Sequence, residues 1–291
     1  MFLNDQSFQP VSVFRFGAAS SLLLAVFALS GCYVEVGPNP SAYYDTEVNY
    51  STDITDFSTK YLVLTAVTPL ALAMEAPEMI ADPDDYTAPR SVQRAVVTET
   101  TYTYLYDDWY CDAGGYTEIE AEADTTSYSD GFTYVDIQLS SESHNCTGWS
   151  KGTAYMVNSD LFYDVYGWYD DWQNKIDSVN GALSGELVTS FSGKAIDYSH
   201  LDVTINDISP NDYAIQVRAD LALDYDWDFE YAKLTTSSTL HWYRYDSHPH
   251  QGKVRISDGH TWVTLRFDAG GVWREDSSYH DSYYSWYELG Y

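Results

Sequence analysis

The sequence predicts a mainly β protein: an antiparallel meander forming a strongly twisted sheet or partly closed barrel, with one N-terminal helix. Three observations carry this expectation. From about residue 95 the polarity alternates with a period of two, as in "TYTYLY", "YTEIEAEA", "FTYVDIQL", "LDVTIND", "YAIQVRADLALDYDWDFEY", "TLHWYRY", "KVRIS" and "TWVTLRF". Between these runs lies turn chemistry: Asp130-Gly131, Ser209-Pro210-Asn211-Asp212, Asp258-Gly259 and Gly270-Gly271. The connections are also too short for crossover helices, which favours antiparallel neighbours over a parallel sheet.

In chain order, residues 1–31 come first. Arg15 precedes an apolar run of the length of a secretory core, and the run ends in Leu29-Ser30-Gly31-Cys32. This ending resembles the bacterial lipobox, in which the cysteine becomes the first residue and carries the lipid. The resemblance implies a lipoprotein signal peptide over 1–31 and a membrane anchor through acyl chains such as palmitate on Cys32. Each buried methylene contributes about 0.8 kcal/mol, so several chains hold permanently where one does not. Tyr33 stands where an Asp would resemble the inner-membrane retention signal, which implies sorting to the outer membrane of a Gram-negative cell.

Residues 32–56 are rich in Gly, Pro, Ser and Asp and read as a tether. Residues 57–94 read as helix and loop. Asp56 or Ser58 can cap a helix through Leu62, Leu64, Val67, Leu70, Leu72 and Met74, with Pro69 predicting a kink. Residues 95–291 form the β domain, whose aromatic end "SSYHDSYYSWYELGY" reads as a last strand.

Charge excludes one class of partner. The chain carries 44 acids and 14 bases; removing Asp5 and Arg15 with the leader leaves 43 and 13, still a net −30. Such a surface repels nucleic acid and anionic headgroups. After Cys32 only Cys111 and Cys146 remain, and in an oxidising envelope an isolated pair is most simply a disulfide. Their settings, Cys111-x-x-Gly114-Gly115 and Asn145-Cys146-x-Gly148, resemble a pattern in Gram-negative envelope lipoproteins, a likeness that brings no activity with it.

Several stretches invite a site. "GWSKG" fits the serine nucleophile pattern, but the elbow needs a helix after Ser150 and the following residues read as strand. His248 and His250 flank Pro249, with His241 and His260 near in sequence; they are the candidates for metal, although the loose spacing assigns no metal. "YDDW" occurs at Tyr106-Asp107-Asp108-Trp109 and at Tyr169-Asp170-Asp171-Trp172, so Tyr106, Asp107, Trp109, Tyr169, Asp170 and Trp172 are candidate glycan contacts. The plainer reading is strand-end chemistry, with Asp in turns and amphipathic rings at core edges. "LDYDWDFEY" reads as one strand with Asp224, Asp226, Asp228 and Glu230 on its wet side and Tyr225, Trp227, Phe229 and Tyr231 on the other. Tyr225 and Trp227 are accordingly candidate ligand contacts, and "EIEAEAD" is a second acid ladder.

No motif requires a cofactor. The expectation is a non-enzymatic, outer-membrane-anchored binding or scaffolding module, with a lipid, a glycan or an envelope protein as its partner. Lipoprotein carriers have a similar helix-plus-meander layout, which by analogy suggests an apolar ligand in the concave face. A carbohydrate-active enzyme or glycan binder using the Asp and Trp clusters, and an acidic surface adhesion protein, are the alternatives.

Overall fold

The computed structural model describes residues 53–74 and 97–291, apart from positions 112, 151–152, 171, 174, 192–193, 210, 226–227, 245 and 291. The leader, Cys32, nearly all of the tether and the loop before the sheet lie outside the described residues, so the lipid anchor belongs to the sequence argument alone.

Twelve strands follow one another in a single antiparallel meander, each paired with its chain neighbour. They are β1 Val97–Tyr110, β2 Gly114–Tyr128, β3 Phe132–Ser150, β4 Thr153–Asp170, β5 Lys175–Phe191, β6 Lys194–Ser209, β7 Asp212–Tyr225, β8 Asp228–Tyr243, β9 Gln251–Ser257, β10 Trp262–Asp268, β11 Gly271–Asp276 and β12 Asp281–Ser285. The described strands run from edge to edge without closing, so the expected mainly β meander holds in its open-sheet form. A capped turn of helix, α2 Trp286–Leu289, ends the chain; Ser285 and Glu288 form its capping box and Gly290 its left-handed stop.

One face of this sheet packs on a helix, α1 Thr59–Ala73. Ser58 caps it by accepting from the Tyr61 N–H, and among its residues only Lys60 escapes full burial. A helix that is apolar on all sides has to be surrounded. Strands β5, β6 and β7 pack on the helix, while β10 and β11 hold the segment that leads into it. From β11, the Arg274 guanidinium donates to the carbonyls of Thr55 and Phe57 at 2.6 and 2.8 Å and to Thr59 Oγ1 at 3.2 Å. Asp258, in the turn before β10, accepts from the Ile54 N–H. The sheet is therefore curled around α1, with its hydrogen-bonded grip reaching from β6 to β11.

Register fixes which side chains face the helix. Ala121, Leu139, Tyr163, Leu183 and Val203 are successive cross-strand partners, and all are buried. The adjacent cross-strand row, Tyr104, Glu122, Gln138, Asp164 and Ala182 on β1–β5, lies on the opposite, outer face. Side chains alternate within each regular stretch, and the buried positions change parity at register shifts such as that between Ser199 and Asp202, where Tyr198 and Leu201 are both buried.

The stretch 223–231 departs from its sequence reading. It is not one strand: Tyr225 pairs with Asp228 and Leu223 with Glu230, so the stretch is divided between the antiparallel β7 and β8. This division inverts the alternation. Glu230 lies opposite Leu223 and is buried, whereas Phe229 is 41% exposed on the other face. A continuous strand would have placed these two side chains the other way round.

Candidate functional site

The predicted site residues fall into separate places. Tyr106 lies in mid β1, where its cross-strand partner is Glu120. Tyr169 and Asp170 end β4, where Asp170 pairs with Phe132. Following the register across, Tyr106 lies opposite Glu120, Ser140 and then Phe162, eight residues along β4 from Asp170. At about 3.3 Å per residue the two copies of "YDDW" are some 25 Å apart along the strands. The paired carboxyls of a glycosidase stand within about 10 Å of each other. The side chains of Asp107, Trp109 and Tyr225, and all of Trp227, lie outside the described part.

Asp170 has a structural task. Its Oδ1 accepts from the Trp172 and Gln173 N–H groups at 3.0 and 3.1 Å, which shapes the turn after β4. The exposed Trp172 indole then lies over Gly131, a left-handed glycine (φ 83°) in the β2–β3 turn. A side chain at 131 would collide with that indole, so the two turns pack together only with glycine there. Ser150 ends β3 and pairs with Thr153 of β4, a strand-to-strand connection unlike the strand-to-helix turn of a nucleophile elbow.

The disulfide forms as expected. Cys111 and Cys146 are joined with Cα atoms 5.4 Å apart. The bond ties the β1–β2 turn to β3, where the β3–β4 register shifts between Ser143 and Cys146. Gly115 (φ 78°) must be glycine because an added Cβ would lie 2.0 Å from the Asn145 carbonyl oxygen.

Two constellations remain on which chemistry can act. The first is the outer face at the β1 edge. Tyr102, Tyr104 and Tyr106 project at alternate positions and are 60, 51 and 54% exposed. The Tyr104 and Tyr106 hydroxyls donate to the carboxylates of Glu120 and Glu118 on β2. The Glu120 hydrogen bond holds the Tyr104 phenol above its ordinary pKa, and the Glu118 charge does the same for Tyr106. The "EIEAEAD" ladder is thus the outer side of β2, serving as acceptor for a tyrosine row.

The second lies at the start of β7. Asp212 opens that strand, His241 sits near the end of β8, and His250 immediately precedes β9. The register pairs Ala214 with His241 and His241 with Gln251, and the His250 N–H donates to the His241 carbonyl at 2.9 Å. One carboxylate and two imidazoles therefore converge, their potential ligand atoms all within 4.8 Å of one another. Tyr243 stacks flat on His250, with centroids 3.8 Å apart and planes 7° apart. Burial lowers the His250 pKa below its ordinary value; Asp212 opposes that shift and His241 adds to it. His248 is placed elsewhere, stacked on Trp286 with centroids 3.9 Å apart. His260 is exposed on the β9–β10 turn. Sequence reasoning missed Asp212, because only the β7–β8 register brings it beside the histidines.

No family model, no curated protein and no solved structure matches this chain. No described helix is long and apolar enough to cross a membrane.

Proposed function

We propose that the chain is a non-enzymatic binding module of the cell envelope, tethered to the outer membrane by lipid on Cys32. Its contact surface is the tyrosine edge, and its partner is an extended segment of an envelope protein. The observation that supports this reading is the row Tyr102, Tyr104 and Tyr106 on β1, a strand paired on one side only among the described residues. An edge strand offers main-chain hydrogen bonds to an added strand, and alternate side chains select it. Tyrosine suits such a surface, since a rigid amphipathic ring gives contact area at low conformational cost. The hydrogen bonds that Tyr104 and Tyr106 donate to Glu120 and Glu118 restrict those two rings before any partner arrives.

The curl of the sheet bears on the other readings. A carrier needs an apolar concave face, and along β5–β7 that face is filled by α1. A glycoside hydrolase needs converging carboxyls, and the register holds the two "YDDW" copies apart.

A photo-crosslinker at position 104 in intact cells tests the reading. It should capture one envelope protein, and the adduct should fade in a chain carrying Tyr102→Ser and Tyr106→Ser. A crosslinker at the exposed Gln216 of β7 is the control. Equal capture at both positions sinks the proposal. Separately, Cys32→Ala should move the chain from the membrane fraction to the soluble one; if the chain stays with the membrane, the anchor is wrong.

A further inference from the structure

We propose that Asp212, His241 and His250 form a binding site for a divalent transition-metal ion, with Zn2+ the best fit. The donor set decides the class of ion. Two imidazole nitrogens and one carboxylate suit zinc and its neighbours, whereas calcium and magnesium take oxygen ligands almost throughout.

The distances fit a site that closes on its ion. His241 Nδ1 lies 3.6 Å from Asp212 Oδ2, and His250 Nε2 lies 4.0 Å from Asp212 Oδ1. Ligands about 2.0–2.1 Å from a tetrahedral zinc stand about 3.3–3.4 Å apart. These two distances run to different carboxylate oxygens, and one ligand atom from each residue lies within 4.8 Å of the others, so the cluster is open and has to close by rotation of its side chains. The same spacing is too long for charge-assisted hydrogen bonds, which run at about 2.7–2.9 Å. The three groups converge without bonding to one another.

A second, independent observation concerns an unmet polar atom. Asp212 Oδ1 is buried and has no hydrogen-bond partner among the described residues. A buried carboxylate oxygen facing an imidazole across 4.0 Å is the arrangement an interposed cation satisfies. The support is rigid: Asp212, His241 and His250 sit on adjoining strand ends, and Tyr243 fixes the His250 ring plane. With three protein ligands, the fourth position is left to water or an incoming group. The site belongs to β7–β9 and does not depend on the proposed role of the β1 edge.

The test is calorimetric titration of the chelator-treated chain with ZnCl2, with excess calcium and magnesium present to occupy the acidic surface. One Zn2+ per chain is expected, with a raised thermal midpoint, since a ligand that binds only the folded state stabilises it. His241→Gln and His250→Gln should each weaken binding by about tenfold or more, in the range by which even supporting residues alter metal affinity. His260→Gln should leave it unchanged, and circular dichroism checks that each variant folds. Cobalt in place of zinc should give the intense visible bands of a four-coordinate site. Zinc binding that survives both glutamine variants would mean that only the acidic surface binds. No binding and no thermal shift in the unmodified chain would mean that the cluster holds no metal. Either result overturns the proposal.

Discussion

The Tyr198 hydroxyl donates to the Thr65 carbonyl oxygen at 3.0 Å, and this is the carbonyl that Pro69 leaves unserved. In a regular helix the Thr65 carbonyl would accept from the N–H four residues on, and proline has none. The phenol reaches in from β6 and takes that place, so a defect in α1 becomes its attachment to the sheet. Tyr61 makes the reciprocal link, donating from α1 to the Ala195 carbonyl of β6 at 2.7 Å.

Tyr198→Phe should therefore destabilise the chain by about 1–3 kcal/mol, the cost of a buried acceptor left without a donor. In a Pro69→Ala background the helix supplies its own N–H, and the same substitution should cost clearly less. Denaturant unfolding of the four chains in this double-mutant cycle measures the difference. Additive effects would show that the Tyr198 hydroxyl does not stand in for the N–H that Pro69 lacks.

Arg274→Met removes three hydrogen bonds to the segment leading into α1. The expected loss is about 1.5–3 kcal/mol, because the lost bonds have a charged donor. Hydrogen exchange at residues 54–62 should accelerate along with it. Arg255→Ala is the contrast: that guanidinium lies over the Trp262 ring at 4.6 Å, and its removal should cost about 0.5–1 kcal/mol without local opening.

Asp197 gives a pH dependence of definite sign. Burial, reinforced by the nearby Glu186 charge, raises its pKa from 3.8 to about 6. The folded chain holds this proton more tightly than the unfolded chain, so the benefit is full below about pH 4 and is lost as the pH rises through 6. Asp197→Asn should stabilise the chain at pH 7.5 and make no difference below pH 4. Allowing for partial solvent screening, the gain at neutral pH is about 1 kcal/mol, or 2–4 °C in melting midpoint. Melting curves at the two pH values decide it.

Reduction of Cys111–Cys146, or replacement of both by alanine, should cost about 3–4 kcal/mol in the chain-entropy view of a loop of 35 residues. Faster exchange should be concentrated in the β1–β2 turn and the adjoining part of β3. Uniform loosening of all twelve strands would contradict a local staple.

How far the sequence could be read depends on where the information resides. Turns such as Asp130-Gly131 and Asp258-Gly259 were legible because the backbone there favours particular residues. The wet face of β2 was legible because side chains alternate. The reversal within "LDYDWDFEY" was not, because the stretch has no glycine, proline or asparagine, and its polarity alternates unbroken although Tyr225 pairs with Asp228. β5 escaped notice because Gly181, Ser184 and Gly185 dilute its pattern. Asp212 could not be joined to His241 from sequence at all: they lie 29 positions apart, and only register brings them together.

The most direct test of the architecture is hydroxyl-radical footprinting of the tyrosines, on the purified chain and in intact envelopes. In the purified chain Tyr102, Tyr104 and Tyr106 should be modified rapidly, while Tyr61, Tyr163, Tyr198 and Tyr213 stay protected. In envelopes the first three should become protected as well, because the proposed partner would cover them. Rapid modification of Tyr61 and Tyr198 in the purified chain would contradict a helix enclosed by the sheet. Unchanged modification of Tyr102, Tyr104 and Tyr106 in envelopes would contradict their role as the contact surface.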